Sequence, residues 1–350
     1  EKVYDGTHYA TAFGGSLSGL VQGEELHWSA QAQLHGKDSG LQAVTVVHQL
    51  ADTKSGTVSN YLLTNPVTEH SINVLPRGIS IQGLEALDKV YDGTQAAQLR
   101  FNTVEGLVPG EYLMLGTKAA FVAKQRGNQQ VSASLWLEDG ISVGSKDMQS
   151  AGQLRTALIQ APSDKPALAQ NYRLTQTNFQ LTAKILPKSL SVSGLRVSDK
   201  IYDGNVNANL ISLGNPSGVV PGDEVNLSNQ SAQFVDSRVG VGKDVVVKGI
   251  ALWGPDAQNY RIDDQYKSSA SILTRELQLD IPVAIKVYDG QSSIQLPQAL
   301  RFKNIIAGDQ ISLDTHAVRG LISAGAGDSK PVSYTGFSLS GADAANYRLA

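Results

Sequence analysis

The sequence predicts an all-β chain of tandem Ig-like or β-sandwich repeats, joined end to end into an elongated rod. Three observations predict it. The same short words recur four times in one order, the segments between them alternate polar and apolar residues, and Gly-containing turn signals punctuate them. At 350 residues the chain exceeds one ordinary core and suits several small domains.

The first word is Lys-(Val/Ile)-Tyr-Asp-Gly, at residues 2–6, 89–93, 200–204 and 286–290. Its tyrosines Tyr4, Tyr91, Tyr202 and Tyr288 lie 87, 111 and 86 positions apart (4 to 91, 91 to 202, 202 to 288). Each is expected to end a strand and face inward. The pairs behind them, Asp5-Gly6, Asp92-Gly93, Asp203-Gly204 and Asp289-Gly290, are expected to turn the chain, since both residue types tolerate positive φ. Each aspartate should also cap its own turn through a local side-chain bond. The closing word is Asn-Tyr, with Tyr61, Tyr172, Tyr260 and Tyr347 re-entering the core after a polar turn. Burying a tyrosine is worth about 1.5–3 kcal/mol, provided its hydroxyl finds a partner.

Two further words lie between these. Gln22-Gly23-Glu24, Pro109-Gly110-Glu111, Pro221-Gly222-Asp223 and Ala307-Gly308-Asp309 read as turns, and Pro-Gly-Asp as a type II turn, with Pro presetting φ and Gly accepting positive φ at the next position. A Gly-rich turn before a strand is expected at Gly36-Lys37-Asp38, Gly242-Lys243-Asp244 and Gly325-Ala326-Gly327-Asp328, degenerating to Arg126-Gly127-Asn128 in the second repeat. Segments such as Ser189-Leu190-Ser191-Val192-Ser193 alternate as half-buried strands do, and no segment keeps a 3.6-residue apolar stripe, so almost no helix is expected.

The interval from first to closing tyrosine is 57, 81, 58 and 59 positions (4 to 61, 91 to 172, 202 to 260, 288 to 347), so the second repeat carries an insertion. The repeats are assigned as 1–75, lacking its first strand; 76–186, with an inserted surface loop at about 138–170; 187–273; and 274–350, lacking its last strand. The joints Leu75-Pro76-Arg77, Leu186-Pro187-Lys188 and Leu273-Thr274-Arg275 are too short to be floppy linkers and should keep neighbours semi-rigid. Starting and stopping mid-repeat, the sequence reads as a fragment of a longer protein.

Composition narrows the function classes. No cysteine is present, which excludes disulfides and thiolate chemistry and suits a chain exported unfolded. A net charge of −3 with mixed signs points away from nucleic acid, and no apolar run is long enough for a transmembrane segment. The histidines His8, His27, His35, His48, His70 and His316 match no zinc spacing. Gly240-Val241-Gly242-Lys243-Asp244 looks like the end of a phosphate loop, but Ser237 and Asp244 stand where Gly and Ser/Thr are required. Neither Gly14-Gly15-Ser16-Leu17-Ser18 nor Gly336-Phe337-Ser338-Leu339-Ser340 completes a nucleophile elbow. No enzyme, cofactor or metal is therefore expected; the repeated aspartates are read as turn caps rather than Ca²⁺ ligands. Tyr9, Trp28, Tyr112, Trp136 and Tyr334 stand outside the words and are weighed as a surface platform for a glycan.

Taken together, the words resemble the YDG-domain repeats of large Gram-negative surface proteins with filamentous-haemagglutinin-like secretion domains; the third repeat, 200–262, fits best. The resemblance implies export through an outer-membrane partner (two-partner secretion), an extracellular or cell-surface location, and a place in an adhesin stalk that serves host attachment or biofilm cohesion. It transfers no catalytic residue. The alternative is a binding module for a host-cell or matrix glycan or protein, acting through the insertion.

Overall fold

Period-two alternation makes strands, and strands dominate the structure, a computed structural model that describes residues 1–140, 149–150, 153–158 and 165–350. Helix among the described residues is limited to four 3-10 turns: Val58–Asn60, Ala169–Asn171, Ala257–Asn259 and Ala344–Asn346. Each ends on the asparagine of an Asn-Tyr word. The chain forms two compact units, Glu1–Leu186 and Pro187–Ala350.

In the first unit a five-stranded sheet has the order Lys2–Val3, Val67–Leu75, Gly40–Ala51, His27–Leu34, Tyr9–Ala10. Lys2–Val3 runs parallel to Val67–Leu75, with Lys2 opposite Val74, and the remaining pairs are antiparallel. A larger sheet repeats this plan. Lys89–Val90 lies parallel to Asn178–Leu186, followed by Gly127–Glu138 and Glu111–Phe121 in antiparallel order. A small sheet pairs Arg77–Gln82 with Tyr172–Leu174 in parallel and with Thr103–Glu105 antiparallel. Leu34, Val44, Val74, Ile79, Leu113, Leu115 and Leu135 share one buried cluster, so the apolar core runs through residues 75 and 76 without a break. One residue, Pro76, separates the strands on either side.

The second unit uses the same plan: Lys200–Ile201, Gln265–Leu273, Gly240–Lys248, Ser231–Phe234. Lys188–Ser189 runs parallel to Tyr260–Arg261, and Arg275–Asp280 runs parallel to Tyr347–Leu349. Phe234, Val245 and Ile272 cluster with Leu277 and Tyr347, again carrying the core past a one-residue joint, Thr274. Both units are essentially all-β, consistent with a β-sandwich-type fold.

Several local expectations are corrected. In the Asp-Gly pairs glycine alone takes positive φ (78° at Gly6 and Gly93, 79° at Gly204, 75° at Gly290). The Gly-Lys-Asp words are not equivalent. Residues 36–38 precede the strand Gly40–Ala51, whereas Gly242 (φ 60°) sits inside Gly240–Lys248 at a register shift. Glycine there lets the strand take an extra residue as a β-bulge. The insertion is more than a loop. Gln153–Leu158 adds a strand beside Glu111–Phe121 and pairs with Gln149–Ser150, while Lys165–Pro166 lies parallel to Glu111–Tyr112. The rest of that segment, 141–148, 151–152 and 159–164, lies outside the described residues.

The four turns form as expected, with Gly222 at φ 93° and the Asp223 N–H donating to Val220 O at 3.1 Å, and with matching bonds at Glu24, Glu111 and Asp309. A Cβ on Gly222 would meet open space. Gly222→Ala therefore isolates the backbone cost of positive φ, and should lower stability by about 1–2 kcal/mol in urea unfolding with no change in slope.

Candidate functional site: a tyrosine–carboxylate clasp

Three local devices place the side chains. The first holds the Lys-x-Tyr-Asp-Gly turn. Lys2 Nζ lies 2.7 Å from Asp5 Oδ1 and donates to Thr7 O (2.9 Å) and Tyr9 O (2.6 Å). Lys89 does the same with Asp92 (2.8 Å), Thr94 O (2.8 Å) and Ala96 O (3.0 Å). Lys200 does so with Asp203 (2.7 Å), Asn205 O (2.7 Å) and Asn207 O (2.9 Å), and Lys286 with Asp289 (2.8 Å), Gln291 O (2.8 Å) and Ser293 O (2.7 Å). Each aspartate also accepts a backbone N–H two residues on, from Thr7, Thr94, Asn205 and Gln291. The aspartates are thus turn caps, each reinforced by the lysine at the head of its own word.

The second device links the closing tyrosine to the acidic residue of the type II turn. Tyr61 Oη donates to Glu24 Oε2 (2.6 Å), Tyr172 to Glu111 Oε2 (2.6 Å), Tyr260 to Asp223 Oδ2 (2.6 Å) and Tyr347 to Asp309 Oδ2 (2.5 Å). The same hydroxyls accept the N–H of Val21, Val108, Val220 and Ile306. The 3-10 turn sets this up by sending the asparagine and the tyrosine in different directions from consecutive positions.

The third device joins repeats. Tyr4, 1% exposed, donates to Glu111 Oε1 at 2.7 Å, so one carboxylate takes a tyrosine hydroxyl from each repeat. The two rings meet edge to face, with centroids 5.3 Å apart and planes at 75°. Lys37 Nζ donates to Tyr4 Oη (3.1 Å) and Glu111 Oε1 (3.2 Å). Asn171 closes the contact: its Oδ1 accepts the Ser39 N–H (2.7 Å) and its Nδ2 donates to Asp38 Oδ1 (2.8 Å).

The second unit builds the same arrangement. Tyr202, 4% exposed, meets Tyr347 edge to face at 5.4 Å and 74°, and Tyr347 Oη donates to Asp309 Oδ2. Asn346 Oδ1 accepts the Val239 N–H at 3.0 Å. Lysine departs from the pattern here: Lys243 pairs with Asp236 and donates to Arg238 O instead. The basic residues of two joints have a job too, since Arg77 Nε donates to Gly106 O (2.6 Å) and Arg275 Nε to Asn304 O (2.7 Å).

Electrostatics follow from burial. Burial, then the bond to Glu111, push the Tyr4 and Tyr172 hydroxyls up. Burial, then the neighbouring Asp309 carboxylate, push Tyr202 and Tyr347 up to about 12. Burial pushes the carboxyls of Asp5, Asp92 and Asp203 up, but the lysine and backbone donors outweigh it and hold them below the usual carboxylate range.

The structure therefore gathers Tyr4 with Tyr172, and Tyr202 with Tyr347. Tyr91 is buried, its N–H donating to Leu186 O at 2.8 Å, and Tyr61 holds only its own turn. Tyr288 is 65% exposed. The glycan-platform residues do not form one surface. Tyr112 is buried, Trp136 folds over Gly116 with its Nε1 donating to Glu138 (2.7 Å), and Tyr334 packs on Phe337. Tyr9 and Trp28 do line a cleft, where Trp28 stacks on His48 at 5.7 Å. Among the described residues no three His, Asp or Glu side chains converge as metal ligands, and no helix is long and apolar enough to cross a membrane.

Sequence reasoning missed the lysine of the first word, the carboxylate after the turn glycine, and the pairing of words from different repeats. The signal was present: a lysine and an acidic residue stand at those places in all four repeats. With this geometry in hand, the chain is a repeat protein whose words are halves of joints. The family model described as the YDG domain matches residues 186–269 and 274–350, so a YDG domain is present over part of the chain. No curated protein matches it.

Two outcomes follow. Tyr202 and Tyr347 have folded values above the unfolded tyrosine value of about 10. Their stabilisation is therefore complete below pH 10 and lost as pH rises from 10 through 12, so tyrosinate absorbance should appear together with unfolding in that window. Lys200→Met should cost about 1–2 kcal/mol, seen as faster amide exchange at Asn205 and Asn207 ahead of the rest of the unit.

Proposed function

We propose that this chain is a stalk segment of a large secreted or surface-anchored bacterial adhesin: tandem Ig-like repeats set end to end as a rod that supports attachment to host cells or biofilm. The clasp is the observation that supports it. In the first unit one carboxylate ties the tyrosine of one repeat to the tyrosine of the next across a joint of one residue, and in the second unit the matching tyrosines pack edge to face. A shared core and a hydrogen-bonded joint resist bending, which is what a spacer under load needs and a catalyst does not. The polar residues that recur in every repeat are occupied in holding turns and joints, which favours a non-catalytic role. YDG domains occur in some large surface or secreted proteins, and this supports export through an outer-membrane partner to the surface of a Gram-negative bacterium, with host or matrix glycan or protein as the contact.

The alternative, a binding module acting through the insertion, has one observation against it. Gln153–Leu158 is used in register along Leu113–Thr117, extending the sheet rather than standing away from it. Small-angle scattering on the chain should give a long-tailed distance distribution with the cross-section of one domain; a compact symmetric distribution would refute the rod. Replacing residues 141–164 with a short Gly/Ser turn should leave attachment to host cells unchanged, and loss of attachment would transfer the function to the insertion.

A further inference from the structure

The third repeat carries an outer face left to solvent. Ser191–Ser193 pairs antiparallel with Asn215–Ser217, setting Ser191 beside Ser217 and Ser193 beside Asn215. Asn226–Ser228 pairs antiparallel with Ala251–Trp253, setting Asn226 beside Trp253. The two pairs are neighbours, since Asn215–Ser217 lies next to Asn226–Ser228. In all four strands the middle residue is half-buried and the two flanking it are exposed, so alternation sorts the apolar side chains inward. What remains outside is serine and asparagine, with Ala251 and Trp253.

Two properties set this face apart. First, it carries no charge. The matching strands of the fourth repeat, Arg275–Asp280 and Arg301–Lys303, present Asp280, Arg301 and Lys303 to solvent. Second, its aromatic side chain is held. Trp253 is 58% exposed, yet its Nε1 donates to Leu227 O at 3.2 Å on the neighbouring strand. An indole fixed across a strand offers its ring to a ligand with little rotamer freedom left to lose. The side chains of Ser191, Asn215, Ser217 and Asn226 bond to no described residue, so their donors and acceptors face water. A charged ligand finds no counter-charge here, and an added peptide strand needs a free main-chain edge rather than a face of side chains. A sugar ring matches what the face offers: hydroxyls that both donate and accept, and a patch of C–H groups that stacks on an indole.

We propose that this face is a carbohydrate platform, and that its occupant is a neutral, unbranched oligosaccharide of β-linked hexoses. One ring stacks on Trp253, the Asn226 carboxamide beside it fixes that ring by hydrogen bonds, and Asn215 and the serines hold the rings that follow. Four strands at the usual spacing give the face a span of about 14 Å, which takes more than one ring. The inference rests on the adhesin reading for the place of its partner outside the cell. Binding is measured on the free chain, without cells or scattering, so either reading can fail while the other stands.

The test titrates the 350-residue chain with cellotetraose and triacetylchitotriose as neutral probes and tetragalacturonic acid as the charged one. At least one neutral probe should shift the indole N–H resonance of Trp253 saturably, with a Kd of about 1 mM, and leave those of Trp28 and Trp136 in place. Tetragalacturonic acid should shift none of them. Read from the backbone amides of Asn226–Ser228, Trp253→Ala should weaken binding by about tenfold. Asn226→Ala should weaken it less, and Trp253→Tyr, which keeps a stacking ring and tests for a merely structural loss, should retain most of it. No shift at Trp253 with either neutral probe up to about 10 mM, equal shifts with tetragalacturonic acid, or unchanged affinity in Trp253→Ala would overturn the proposal.

Discussion

One carboxylate shared by two tyrosine hydroxyls is the constraint on which the remaining structure depends. A largely buried carboxylate is costly unless its lone pairs are satisfied. Glu111 meets that condition by accepting from both sides of a joint. Each charge-assisted bond is worth about 1.5–3 kcal/mol, and withdrawing one donor leaves the charge short of a partner. The joint is therefore held by a group that neither repeat satisfies as well alone. Lys37 adds a cation at the first clasp, while Lys243 in the second unit pairs with Asp236 instead.

This explains why the words travel together. The type II turn is required because its last residue aims a carboxylate at the closing tyrosine, and the turn in turn requires glycine at positive φ. The 3-10 turn is required because it delivers asparagine to one neighbour and tyrosine to that carboxylate. At Tyr4 and Tyr202 the Lys-x-Tyr-Asp-Gly turn presents its tyrosine to the closing tyrosine of the following repeat. Local and non-local parts separate cleanly at residues 286–290. The Lys286–Asp289 pair forms there as in the other repeats while Tyr288 is exposed, so the turn does not need its tyrosine buried.

Much of this was legible in the sequence, and the reason is periodicity. All-β character came from alternation, the four glycine turns from residue type, and the aspartate caps from the preference of that side chain for its own backbone. Two kinds of feature were not legible. Tyr4 reads as facing the core of its own repeat, but which core it enters depends on where residues 107 positions away are placed, and no local pattern carries that. Gly242-Lys243-Asp244 and Gly36-Lys37-Asp38 are alike as words, yet one is a bulge within a strand and the other a loop before it, since register is fixed by strand pairing. Strand Gln153–Leu158 escaped for a related reason: its polar-rich sequence resembles a loop, and the exposed edge of Glu111–Phe121 recruits it.

The central claim is that Tyr4 and Glu111 stabilise the joint through each other. A double-mutant cycle with Tyr4→Phe and Glu111→Gln isolates that coupling. It is read in urea by tryptophan fluorescence in a Trp253→Phe background, where Trp28 and Trp136 report on the first unit. The account predicts a coupling energy of about 1–3 kcal/mol. Strictly additive effects of the two substitutions would contradict it.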